Sequence, residues 1–314
     1  MNVKEILNKV ENFNADRKYW LVRTDYGRNF DDFYIGEYIA IGWDYLTLDE
    51  LKSKGKSELK EKIAKFDNLD ASISKQKRKI TLAYNKIETF LNLKKGDIIV
   101  VPSRNSSRLA FGEITDDSAY EDSDELESGS YFKRRKIKWI DKKGIQELDP
   151  NLRQLKSNQH SISSIDRLAP YIDKVVGNLF KKGDKTHYVL NFQTYDDINF
   201  RDLNALMADI DKLVIKINDQ FNFNEDVEDF FVKINLQSPG TMELIKTNAG
   251  KSLAILAFCL SVISCGGNIE DKTSDVTLQK FSKENDTLLN NTQKTLDSLQ
   301  VNYKDLTQPF TDGE

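Results

Sequence analysis

Tyr38-Ile-Ala-Ile-Gly42-Trp43 is an apolar run with no polar residue to mark a solvent face, closed by a glycine and a tryptophan. Continuous apolarity over a strand's length implies a strand buried on both faces. Upstream, Lys18 to Thr24 alternates, with Tyr19, Leu21 and Arg23 on one face and Trp20 and Val22 on the other. It reads as a strand that pairs with Tyr38–Trp43 in a first core hairpin. Asp25-Tyr-Gly27 supplies a turn. Downstream, strands are expected at Asp97-Ile-Ile-Val-Val101, Arg108 to Thr115 and Tyr131 to Ile140. From Leu48 to Leu93 the period becomes helical, with Leu51, Leu59, Ile63 and Phe66 and then Ile80, Leu82, Ile87 and Phe90. The acidic stretch Asp116 to Glu127 reads as an exposed, flexible loop. The fold class that follows is α+β: a mixed β-barrel over residues 1–169 with a helical insertion.

Beyond Pro170 the organisation changes. Residues 170–183 read as a linker helix stopped by Lys181-Lys-Gly183. Residues 184–247 read as a small β-α-β unit: a strand from His187, a helix from Phe200 with Leu203, Leu206, Ile210, Leu213 and Ile217 on one face, and a strand from Phe230 turning at Ser238-Pro-Gly240. An apolar helix covers 248–269. A polar tail covers 270–314, where Leu278, Phe281, Leu288, Leu289, Leu296 and Leu299 suggest one amphipathic helix. At the other end, Val3 to Phe13 has helical spacing and lacks the apolar core of a signal peptide, which points to synthesis in the cytoplasm.

The run Ser252 to Gly267 carries no charge. A membrane span needs about 17–25 residues, so its length is marginal. Three readings stay open: an inner-membrane helix with the N-terminal module kept in the cytoplasm by Lys246 and Lys251, a buried or oligomerising helix, and lipoprotein-like processing at Val262-Ile-Ser-Cys265. The second makes a homo-oligomer a candidate assembly.

Composition excludes several chemistries. The chain has 2 Cys and 2 His among 314 residues. Both cysteines, Cys259 and Cys265, fall in the apolar run, while His160 and His187 lack ligand-like neighbours, so a Cys/His zinc centre is excluded. No Walker loop, paired-glycine dinucleotide turn or His-Glu-x-x-His is present. No catalytic constellation, metal set or cofactor is expected. Met1 to Ala169 has 31 Lys+Arg against 28 Asp+Glu and the remainder 15 against 22. A first half so nearly neutral does not grip duplex DNA through phosphates alone. The basic cluster Lys75-Gln-Lys-Arg-Lys79 reads equally as a solvated helix start or a phosphate contact.

Tyr19-Trp20-Leu-Val-Arg23 with Phe30-Asp-Asp-Phe33, Ile39-Ala-Ile-Gly42-Trp43, Lys95-Gly96-Asp97-Ile-Ile-Val-Val-Pro102, Gly112-Glu113-Ile114 and Arg134-Arg135-Lys-Ile-Lys-Trp139 occur in an order that resembles a known module. From Lys18 to about Asp166 the chain is similar to the PUA/EVE-like domain found in front of Mrr-type restriction nucleases and other prokaryotic defence proteins. The resemblance implies a sensor that binds a nucleotide-like ligand or modified base. Independently, base-reading pockets need aromatic planes and a few polar groups. Trp20, Phe33, Trp43 and Trp139 are candidate planes, and Arg23, Asp44 and Arg104 candidate polar contacts, with core packing as the competing use of each tryptophan. Gly42 suggests a close approach of backbone or ligand. Two other functions remain: an adaptor with a buried C-terminal helix, and a divergent Mg²⁺-dependent nuclease. The nuclease would need an acid-x-lysine set on strands, whereas Glu58-Leu-Lys60 falls in a helical pattern and Glu270-Asp-Lys272 follows a Gly-Gly pair.

Overall fold

The strands expected between Lys18 and Ile140 join one sheet, but not in the expected order. The computed structural model describes residues 1–123, 131–235, 239–248 and 250–311. The chain forms two compact units, Asp16–Val176 and a second made of Met1–Ala15 with Gly177–Glu314.

In the Asp16–Val176 unit the sheet runs in the spatial order Tyr38–Ile41, Lys133–Gly144, Arg108–Ile114, Ile98–Pro102, Tyr19–Val22, Ile162–Ser164. Tyr19–Val22 and Tyr38–Ile41 are therefore not a hairpin: three strands separate them, and Phe30–Ile35 between them is a helix. Tyr19–Val22 instead pairs parallel with Ile98–Pro102, Tyr19 opposite Ile98. Parallel neighbours need a long crossover, and the connection between them contains the helices Leu48–Ser53, Lys56–Phe66 and Ser74–Leu91. A bulge curls the sheet into an open half-barrel, because Phe111 faces Asp141 and Gly112 faces Trp139, leaving Ile140 without an opposite residue. Gly112 is required there: a Cβ would stand 2.7 Å from the Ile137 side chain and 2.9 Å from the Lys138 carbonyl oxygen. Leu59, Ile63, Ile80, Ile87 and Phe90 of the helices share one core with Ile39, Ile41, Ile99 and Val101 of the sheet.

The first part of the acidic stretch is built into this unit rather than being a free loop. Arg135, fully buried, donates to Asp116 Oδ1 and to the Leu93 carbonyl, both at 2.7 Å. Arg134 pairs with Asp122 at 2.7 Å, Tyr120–Glu121 adds a short strand beside Lys133–Gly144, and Glu121 accepts the Leu48 amide. Guanidinium groups taken out of water need such carboxylates. Asp124, Glu125 and Glu127 lie outside the described residues.

The second unit holds a five-stranded sheet in the order Glu11–Phe13, Leu179–Lys182, Lys185–Phe192, Gly240–Thr247, Phe230–Asn235. The expected N-terminal helix stops at Asn8, and Glu11–Phe13 becomes an edge strand parallel to Leu179–Lys182. The expected linker helix likewise ends at Val176, because Leu179–Lys182 is strand. The sheet has an inner strand, Gly240–Thr247, that the β-α-β reading lacked; Ser238 of the expected turn lies outside the described residues.

The apolar run forms the helix Lys251–Ser264, of 14 residues, and every residue from Ser252 to Ser264 is buried. It packs among Leu206, Leu213 and Ile217 of the helix Phe200–Gln220 and Leu278, Phe281, Leu289, Leu296 and Leu306 of the tail. At 1.5 Å per residue it is about 21 Å long, short of a hydrocarbon layer of about 30 Å. Among the described residues no helix is long and apolar enough to cross a membrane, so the membrane-helix reading gives way to the buried one. Residues 270–314 are correspondingly no loose tail, since Val276–Glu284, Asp286–Ser298 and Tyr303–Thr307 are helices that close this core.

Candidate functional site

Past Ile41 the strand Tyr38–Ile41 leaves the sheet, and Gly42 and Trp43 turn into the wall of a cleft of about 390 Å³. That volume lies within the range of small-molecule pockets. Trp43 adopts φ +62, a left-handed conformation unfavourable for a residue with a Cβ. Its surroundings hold it there. Lys133 Nζ donates to the Trp43 carbonyl at 3.0 Å and to Asp44 Oδ1 at 3.1 Å, and Asp44 also accepts the amides of Tyr131 at 2.9 Å and Phe132 at 3.0 Å. The Lys133 side chain is 1% exposed. Burial pushes its pKa down against the pull of Asp44. These bonds hold Asp44 in the wall behind Trp43.

The opposite wall is organised by Arg23. Its guanidinium donates to the carbonyls of Leu155 at 3.1 Å, Lys156 at 2.9 Å and Asn158 at 2.7 Å, and its amide donates to the Ser161 carbonyl. These bonds fix the segment that brings Lys156, Gln159 and Ser161 to the cleft. The rim beside Arg23 is the turn Asp25-Tyr26-Gly27, with φ +46, +55 and +86. Gly27 lies so close to the Ser103–Arg104 backbone that a Cβ would stand 2.3 Å from the Arg104 nitrogen, so backbone contact locks the rim. Tyr131, at φ +98, closes the third side.

Among the described residues three rings, Tyr26, Trp43 and Tyr131, line this space with Arg23, Lys86, Lys156 and one carboxylate, Asp25. Burial lowers the pKa of Lys86 and Arg23. Lys86 has no ion-pair or hydrogen-bond partner among the described residues. Ser161 Oγ is buried and has no hydrogen-bond partner among the described residues. Burial, with Asp25 and Asp44 nearby, raises the Tyr131 pKa, so the phenol stays neutral and able to donate. Around Gly42 a Cβ would meet nothing within 4 Å. Of the two close approaches expected there, backbone packing is not found among the described residues, and the missing side chain leaves room in the cleft.

Of the residues singled out in the sequence, Arg23 and Trp43 meet at this cleft, with Asp44 behind it. Trp20 is half-buried and its Nε1 donates to Asp97 at 3.1 Å. Phe33 is completely buried and offers no free face. Trp139 packs on Tyr34 at 5.3 Å and donates to the Phe33 carbonyl. Arg104 is exposed on its turn and does not line the cleft. The sequence reading missed Tyr26, Lys86, Tyr131, Lys156 and Ser161. Lys86 did leave a signal, since it falls three residues after Ala83 and four before Phe90, beside the buried stripe of its helix. The basic cluster Lys75–Lys79 lies exposed at the start of the same helix. Both acid-x-lysine triplets lie on helices, with Glu58 paired to Lys54 and Glu270 to Lys283.

The comparison that bears on this unit is with protein families. Residues 18–168 match a family model described as "Domain of unknown function (DUF8426)". The match covers the whole sheet and all the residues that line the cleft. No curated protein and no solved structure matches the chain.

Proposed function

We propose that the Asp16–Val176 unit is a non-catalytic, PUA/EVE-like reader of a nucleotide-like ligand or modified base, and that the chain serves as a sensor in prokaryotic defence. The observation that carries the ligand reading is the placement of Tyr26, Trp43 and Tyr131 around one cleft with the unpaired ammonium of Lys86. Flat rings bind bases by stacking, each worth about 1–3 kcal/mol. A desolvated ammonium without a carboxylate partner favours an oxyanion or ring carbonyl, through bonds stronger than neutral ones. Ser161 Oγ, buried and without a partner among the described residues, gives an edge-reading group. The defence setting rests on the resemblance across Lys18 to Asp166 alone. For the C-terminal unit, burial of Ser252 to Ser264 favours an adaptor role over action in a bilayer.

The test is isothermal titration of the full chain with mononucleotides, cyclic dinucleotides and modified-base oligonucleotides. The expected result is saturable binding of one class, weakened in Trp43→Ala by about 1–3 kcal/mol. Absence of heat across the panel contradicts the reading.

A further inference from the structure

The five-stranded sheet ends on two very different edges. One is Glu11–Phe13, three residues long, with Glu11 and Asn12 exposed. Short, polar edges resist pairing with other chains. The other is Phe230–Asn235, Phe-Phe-Val-Lys-Ile-Asn, six residues rich in strand formers, paired among the described strands only with Gly240–Thr247. Phe231 is 53% exposed, Val232 45% and Ile234 39%. Among its residues only Lys233 supplies a protecting charge, and Lys233 has no ion-pair partner among the described residues. An edge so long and apolar is a template for a further strand.

We infer that this edge pairs with the same edge of a second copy of the chain, antiparallel and centred on Phe231. A two-fold axis makes such an interface closed and self-complementary. The sequence selects the register. Centred on Phe231, the pairing sets Phe231 against Phe231 and Val232 against Phe230 within the strands, and brings Lys233 beside Asp229 at the end of the 3-10 turn Val227–Asp229, each of the last two occurring twice. Aromatic, aromatic with β-branched, and opposite-charge pairs are the combinations that stabilise facing strands. Asp229 ends the 3-10 turn Val227–Asp229 that leads into the strand and has no ion-pair partner among the described residues. Shifting the centre to Val232 loses the Lys233–Asp229 pairs, and shifting it to Lys233 opposes two ammonium groups. The charge pattern thus names a second copy as occupant, in one register, joining two five-stranded sheets edge to edge.

Sedimentation velocity of the full chain across a hundredfold concentration range tests this, with melting curves to show that each variant stays folded. The wild-type chain is expected to dimerise. Lys233→Glu sets carboxylate against carboxylate twice and should weaken the dimer about tenfold or more. The double exchange Asp229→Lys with Lys233→Glu restores opposite charges and should restore the dimer. A monomer at every concentration leaves the edge to a strand of some other protein and overturns the proposal. So does a dimer indifferent to Lys233→Glu, or one that the double exchange fails to recover.

Discussion

Four non-glycine residues with positive φ line one cleft: Asp25, Tyr26, Trp43 and Tyr131. A left-handed residue with a Cβ is unfavourable by roughly 1–2 kcal/mol, and such strain collects where a surrounding framework over-determines the backbone, commonly at ligand sites. Trp43 allows strain and packing to be separated. Trp43→Gly should be more stable than Trp43→Ala by about 1 kcal/mol in urea denaturation, the reverse of the usual order, because glycine takes φ +62 freely. An alanine variant as stable as the glycine one would show that the wall relaxes. Lys86 makes the second case. Its folded pKa is lowered by burial, so the folded state disfavours the charged form. That destabilisation is fully present at neutral pH and fades as pH rises from the lowered folded value to the unfolded value of about 10.4. Lys86→Met should therefore raise the melting temperature at pH 7, with the gain shrinking as the pH approaches 10. A melting temperature lowered by Lys86→Met at pH 7 would mean that the ammonium is satisfied in the free protein.

At the scale of elements, the cleft depends on how the strand end after Ile41 is fastened to the start of Lys133–Gly144. Asp44 is that fastening, and Asp44→Ala leaves the Lys133 ammonium buried without its carboxylate. Loss of one partner of a buried pair is unfavourable by about 3–5 kcal/mol, so chemical denaturation of Asp44→Ala should show a loss of that size, and a change below about 1 kcal/mol would return Asp44 to the ligand. The apolar runs at Tyr38–Ile41 and Ile98–Pro102 announced themselves as buried strands because period and burial are local properties. Their neighbours did not. The parallel partnership of Tyr19 with Ile98 depends on a long, largely helical crossover, and no local pattern encodes it. The same limit governed the site: Trp43 and Arg23 were legible as an aromatic and a cation in strands, whereas Tyr26, Lys86 and Lys156 reach the cleft from a turn, a helix and a remote segment.

At the scale of the whole molecule, sequence order misled about membership. Met1–Ala15 precedes the cleft unit in the chain yet folds with Gly177–Glu314, where Ile6 is fully buried and Glu11–Phe13 pairs with Leu179–Lys182. Deleting residues 1–13 should therefore increase hydrogen exchange in Leu179–Lys182 and Lys251–Ser264 and leave Tyr38–Ile41 protected; loss of protection in Tyr38–Ile41 would contradict the division. The apolar run misled for a related reason, since a helix covered on every side by its own unit has the same composition as one meant for lipid. The central claim is that the Trp43 cleft holds a ligand. It is tested most directly by calorimetric titration of the full chain, Trp43→Gly and Lys86→Met with the nucleotide and modified-base panel. The account predicts one ligand class that binds the wild-type chain and binds both variants at least about tenfold more weakly, while both remain folded. Equal affinity in all three proteins, or no binding by any of them, would contradict it.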